Sequence, residues 1–218
     1  MGKREYINNY ASVTQVLNIL RKPGLEQWFL SNTRAYCTEK SNKGKLVGTQ
    51  IHDAIQSFIE TGKASISTEH DVEVTNTLKS FMMFREEKPE HILRKAEMAL
   101  TSEVYKFNGT IDCIGDYVMW DWKTGEAKKE EKPKIYDEWK YQVAAYIYLY
   151  NEVHNANIMK AKIVALAKDK IAYDIYEMEE QEINDCFHKV FLPCLSILNY
   201  QNEQKKKKKE GIFYVEST

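Results

Sequence analysis

Little in this sequence could staple a fold or span a bilayer. Its 218 residues include only 4 cysteines, Cys37, Cys113, Cys186 and Cys194, with no C-x-x-C pair among them, and the opening residues carry no signal-peptide pattern. That usage excludes a disulfide-framed secreted scaffold and sets the expectation of a reducing, intracellular compartment with free thiols. Long apolar runs are missing too. The longest, residues 143–150, is less than half of the ~20 residues a bilayer requires, so no membrane span is expected. With 9 glycines and 4 prolines the composition is neither collagenous nor that of a disordered chain. Neither sign of charge dominates: 31 basic and 32 acidic side chains leave a net charge of −1, so attraction to nucleic acid requires a local basic surface.

What is present suffices for a packed core. Hydrophobic residues make up 43% of the chain and aromatic ones 12%, including 14 tyrosines and 4 tryptophans, enough for one ordinary globular domain without a metal or disulfide staple. A run of five lysines at 205–209 reads as a solvated tail, with a phosphate-binding arm as the alternative.

Periodicity orders the elements. Apolar spacing over residues 12–30 gives two short helices around Pro23-Gly24, and the polar stretch 31–45 reads as a surface loop. Ile51, Ile55, Phe58 and Ile59 form one face of a helix from Gly48 that stops at Gly62, and a further helix covers 72–87. The period then changes to strands at 95–101, 105–114 and 117–123, the last two forming a hairpin with Gly115-Asp116 at its tip. An amphipathic helix at 137–153, strands at 158–167 and 171–177, and a closing helix at 180–200 complete the chain. The expectation is one α/β domain over 1–218: a mainly helical part to 94, a sheet with its helix over 95–178, and a C-terminal helix with the lysine-rich tail.

The hairpin carries the chemistry. A tip at Gly115-Asp116 pairs Asp112 with Met119, and alternation places Asp121 and Lys123 on that same face. Asp112 and Asp121 are then diagonal neighbours, roughly 7–8 Å apart. Two such carboxylates in a half-buried sheet repel each other unless a cation lies between them, and oxygen ligands suit Mg²⁺ or Mn²⁺ better than zinc. Lys123 beside them could orient or deprotonate a water, or balance charge on a phosphate. The same three residues could also form a plain ion-pair cluster on a wet sheet face.

Gly109-Thr110-Ile111-Asp112, then Asp121-Trp122-Lys123-Thr124-Gly125, then Gln142-x-x-x-Tyr146, resembles the PD-(D/E)xK nuclease superfamily, in particular its RecB-type nuclease domains and related exonucleases, over residues 48–150. Ile111 stands where the pattern has Pro, a residue without a chemical role. The resemblance implies a restriction-endonuclease-like core, a mixed β-sheet flanked by helices, preceded here by the helical part. It implies Asp112 and Asp121 as metal ligands, with the Trp122 backbone carbonyl as a further one, and Lys123 as the catalytic lysine. Gly48-Thr49-Gln50-Ile51-His52 looks like the family's upstream helix motif, which assigns His52 to metal or phosphate. An acidic residue of the first strand completes the shell, Glu97 with Glu103 as its competitor. Gln142 and Tyr146, one helical turn apart, would support the site and contact DNA, as would Thr124.

Without the resemblance these residues have ordinary readings: an exposed or capped histidine, solvated glutamates and a core tyrosine. An iron–sulfur cluster, which some relatives carry, is not expected, because the cysteines here are one short of the required pattern. The function implied is Mg²⁺- or Mn²⁺-dependent hydrolysis of DNA by an exonuclease that leaves 5′-phosphates. A binding or assembly module that keeps the fold without turnover is the alternative; intact Asp112, Asp121 and Lys123 argue against it.

Overall fold

Local chemistry sets where the elements start and stop in the computed structural model, which describes residues 10–64 and 71–215. They run β1 (Ala11–Ser12), α1 (Val13–Leu17), α2 (Pro23–Leu30), α3 (Arg34–Thr61), α4 (Val72–Glu87), β2 (Lys95–Ser102), β3 (Phe107–Gly115), β4 (Val118–Gly125), α5 (Asp137–His154), β5 (Lys160–Ala167), β6 (Tyr173–Met178), α6 (Glu180–Asp185), a π-helical segment (Cys186–Phe191) and α7 (Leu192–Val215). Ser12 and Gln15 close a reciprocal capping box on α1. Gly62 ends α3 in the left-handed region at φ 76°, where a side chain would be strained. Among the described residues no helix is long and apolar enough to cross a membrane.

Six strands form one mixed sheet in the order β1-β3-β4-β5-β6, with β2 along the other edge of β3. β2 and β4 are antiparallel to β3, whereas β4 and β5 are parallel, as the crossover through α5 requires. One face packs Met119, Ala161 and Ile163 against α1, α5 and the C-terminal helices. The other packs Trp120, Trp122, Val164 and Leu166 against Val47, Ile51, Phe81 and Phe84 of α3 and α4. The result is a mixed sheet with helices packed on both faces, the α/β architecture the resemblance implied.

Three sequence expectations are corrected. Residues 31–45 are helical, not a loop: α3 begins after its Thr33 cap and runs for 28 residues. Between Arg34 and Lys45 it buries only Cys37, so this stretch lacks the apolar stripe that announces a helix, while a mid-helix glycine such as Gly44 costs only about 1 kcal/mol. The lysine run continues α7, so it is helical where a tail was expected. The helix before it contains the π-helical segment because Pro193, two residues beyond that segment, has no N–H for the α-helical ladder.

The third correction concerns register. The ladder pairs Gly115 with Val118 and Cys113 with Trp120, two residues from the expected alignment. Asp116 and Tyr117 form the turn, at φ 49° and 61°, the doubly left-handed geometry whose twist matches that of the strands. Gly115 is not needed for turning. A Cβ there would lie 1.7 Å from the Ile92 carbonyl oxygen, so its glycine serves close backbone approach.

A shift of two preserves the face, so Asp112 still falls opposite the Asp121 side of β4. The ladder stops before reaching either acid, however. β1 pairs with β3 at Phe107 and Asn108 and β4 pairs with it at 113–115, which leaves residues 109–112 of β3 unpaired along that edge. The sheet forks at this gap.

Candidate active site

The fork is lined from three layers. Asp112 ends the unpaired stretch of β3, and its Oδ2 accepts a 2.9 Å hydrogen bond from the Trp122 amide, replacing the ladder partner that β4 has lost. Glu97 sits between the pairs Ala96–Cys113 and Met98–Ile111, hence opposite Asp112, at φ 50°. The alternation of β3 slips at the same level: Ile111 and Ile114 both face the α5 side, with Cys113 on the other. A non-glycine residue held in the left-handed region inside a strand is strained, and such strain concentrates at functional sites.

His52 reaches the fork from α3. Its Nδ1 lies 3.2 Å from Glu97 Oε1 and 3.5 Å from Asp112 Oδ1, and its Nε2 lies 3.1 Å from the Trp122 carbonyl oxygen. Both ring nitrogens thus face oxygens, and with Glu97 and Asp112 ionised both positions call for an N–H, which favours the imidazolium. Burial opposes that charge, but Asp112 and Glu97 outweigh it and raise the pKa to about 9. His52, Glu97 and Asp112 each offer one ligand atom, all within 4.8 Å of one another. One imidazole and two carboxylates, beside a backbone carbonyl, form a donor set that fits a divalent cation, which would displace the proton now satisfying His52.

Asp121 lies beside this triad, bound to Lys123. The Lys123 Nζ is 2.8 Å from Asp121 Oδ1 and 2.6 Å from Oδ2. Asp121 is 1% exposed; burial first, then Asp112, raises its pKa to about 7 against the pull of Lys123. Burial works against the Lys123 ammonium, yet Asp121 and Asp112 raise its pKa, so it stays a hydrogen-bond donor.

A cavity of about 640 Å³ opens onto the fork, lined by His52, Asp112, Lys123, Gln142 and Tyr146 among others. Gln142 Nε2 donates to the Tyr146 hydroxyl at 2.7 Å on α5. Gly109 lets that helix approach, since a Cβ there would lie 2.9 Å from Tyr146 Cε1. Thr124 alternates to the opposite face, where its Oγ1 is 4.0 Å from a Cβ placed on Gly48, and it does not line the cavity. Glu103 lies away from the fork, at the far end of β2, accepting from the Tyr10 hydroxyl at 3.3 Å. The four cysteines are buried and free.

The cavity wall also includes Lys45, Thr49 and Asp53 of α3 and Ser12 to Thr14 around the start of α1. Lys45, Thr49 and His52 follow helical spacing. That signal was present in the sequence but hidden by the loop expected up to residue 45.

A profile of the PD-(D/E)XK nuclease superfamily matches residues 26–210. The chain belongs to the PD-(D/E)XK nuclease superfamily. Among solved structures, a protein from Eubacterium rectale provisionally described as an exonuclease aligns with a TM-score of 0.59 at 15% identity, over 93% of this chain and 87% of that one. An alkaline exonuclease from Laribacter hongkongensis aligns with a TM-score of 0.47 at 13% identity, over 93% and 94% of the two chains. No curated protein matches the sequence significantly. At these identities the structural likeness is one of fold, and the PD-(D/E)XK assignment rests on the profile.

Proposed function

We propose that this PD-(D/E)XK chain is a divalent-metal-dependent deoxyribonuclease, acting as an exonuclease and leaving 5′-phosphate and 3′-hydroxyl ends. The observation that carries the reading is the fork itself: three carboxylates, one imidazole and one ammonium gather where β3 loses its strand partner, and His52, Asp112 and Lys123 of this group line a cavity. Mg²⁺ or Mn²⁺ held by His52, Glu97, Asp112 and the Trp122 carbonyl, with Asp121 beside them paired to Lys123, would supply Lewis acidity toward the phosphate and a more acidic water.

The chain's own groups do the rest. Lys123, clamped by Asp121, donates hydrogen bonds toward the attacking water or a phosphoryl oxygen and offsets the charge that builds in the transition state. Asp112 holds the Trp122 amide and so orients the carbonyl beside it. Gln142 and Tyr146 bound the opposite wall and position the substrate. The direct test is linear DNA labelled at either end, incubated with Mg²⁺, Mn²⁺ or a chelator. Release of labelled mononucleotides only with metal supports the reading; intact DNA under every metal overturns it.

Protonation gives a second expectation. The folded-state pKa of His52 is raised from 6.5 to about 9, so its contribution to stability is complete below pH 6.5 and lost as pH rises through 9. Asp121, raised from 3.8 to about 7, has the same sign, its contribution fading between pH 3.8 and 7. In chelator the thermal midpoint therefore falls as pH rises from 5 to 9, by about 2–4 °C per kcal/mol lost at this chain length. Mn²⁺ restores it most strongly near pH 9, where no proton competes. A metal-free midpoint that is flat or rises over this range contradicts the protonated triad.

A further inference from the structure

Helix α2 is apolar and buries none of its side chains among the described residues. Of its eight residues, Leu25, Phe29 and Leu30 are 45%, 49% and 82% exposed. Trp28 meets Phe29 edge to face at 5.1 Å and lies 6.3 Å from Tyr36 at the start of α3, so three aromatic rings cluster at the surface.

The surroundings of this cluster are basic. Residues 21–45 hold six basic and two acidic side chains, a surplus of four positive charges in a chain whose net charge is −1. Arg21, Lys22 and Lys43 are engaged by carboxylates. Arg34, Lys40 and Lys45 are exposed, and Lys40 lies 5.9 Å above the Tyr36 ring.

The patch reaches the cavity wall at Lys45, and its other end is tied to α5 through Lys22. Lys22, which caps α2, pairs at 2.6 Å with Glu138, one turn before Gln142 on α5. Lys45 lies further along α3 and lines the cavity wall. From Tyr36 to His52 the helix rises about 24 Å.

We propose that α2 and the first half of α3 form a stacking platform for the single-stranded portion of the substrate, with bases on Trp28, Phe29 and Tyr36 beside Lys40, and the strand then crossing α3 to Arg34 and Lys45, which share the His52 face of that helix. Charge selects this occupant. Protein–protein interface cores are depleted in lysine, whereas single-stranded nucleic acid is held by aromatic rings interleaved with cations. Unstacked bases are required, so duplex ends without a tail engage the rings poorly. The inference rests on the nuclease reading for the nature of the substrate.

The test is binding rather than cleavage. A fluorescein-labelled dT 15-mer is titrated in chelator and followed by anisotropy and by tryptophan fluorescence. The parent protein binds it more tightly than a blunt 15-base-pair duplex, with quenching that Trp28→Phe abolishes. Trp28→Ala combined with Phe29→Ala weakens binding at least about tenfold. Because no residue of α2 is buried, circular dichroism and the thermal midpoint stay at parental values in that variant. Arg34→Gln with Lys40→Gln lowers the slope of log affinity against log salt by about 1.4. The inference is overturned if the aromatic variant binds the 15-mer as tightly as the parent, including the case where that variant instead disperses a dimer of this chain. Failure of the nuclease reading shows separately, as ring-dependent binding with no cleavage under any metal.

Discussion

Asp121→Asn and Lys123→Met, made singly, each reduce metal-dependent DNA hydrolysis by about 10²–10⁴-fold, the range observed when a positioned acid, base or charge-stabilising donor is removed. The two residues act as one unit, since both Asp121 oxygens face the Lys123 ammonium. The double variant is therefore little worse than the poorer single one. Stability separates the two roles. Lys123→Met keeps the buried stem and removes a buried charge, and the Asp121 carboxyl, its pKa already raised to about 7, takes up a proton instead of standing unpaired. Its metal-free thermal midpoint stays within a few degrees of the parent. Asp121→Asn takes from the buried ammonium its hydrogen-bonded partner and leaves it only the charges of Asp112 and Glu138 among the acids that raise its pKa, so it loses more. The measurement is initial rate on labelled DNA at saturating Mn²⁺, beside melting curves. Parental rates in both variants would remove the fork from the chemistry.

Much of this site was legible in the sequence because parity is robust. The expected hairpin register was wrong by two residues, yet an even shift keeps Asp121 and Lys123 on the expected face of β4, and Asp112 meets that strand through the Trp122 amide although the alternation of β3 slips beside it. What parity could not show is the gap. β1 is only two residues long, too short to leave a pattern, and it is β1 that takes up the free edge of β3 and leaves residues 109–112 open. His52 and Glu97 came from resemblance rather than spacing, since nothing in a helical period says which histidine will meet a strand 45 residues away. Glu97 and Glu103 differ in ways a linear reading cannot weigh: one occupies a left-handed position opposite Asp112, the other the turn after β2. The first half of α3 was missed because its polar surface faces solvent, and Lys45 was missed with it. That half-helix is where the proposed stacking platform lies.

Gly115→Ala costs about 3–5 kcal/mol, near the upper end for single substitutions. The added methyl carbon would lie 1.7 Å from the Ile92 carbonyl oxygen and 2.7 Å from its carbon, and both belong to backbone that has no rotamer to change. The segment from Ile92 must therefore lift from β3, breaking the 2.9 Å bond from the Arg94 amide to the Ile114 carbonyl at the start of the β2 ladder. At this chain length that is a drop of roughly 6–20 °C in thermal midpoint. The damage does not stop at stability, because Lys95 pairs with Ile114 and Glu97 follows two residues later. A displaced β2 start releases the left-handed Glu97 and with it one carboxylate of the triad, so metal affinity measured by calorimetry below the new midpoint falls as well. Gly44→Ala supplies the contrast. A Cβ there meets nothing within 4 Å inside a regular helix, so this change raises the midpoint, by the ~0.5–1 kcal/mol that separates alanine from glycine. If both substitutions moved the midpoint the same way, backbone entropy rather than the contact with Ile92 would govern Gly115, and the close approach that sets the position of Glu97 would lose its support.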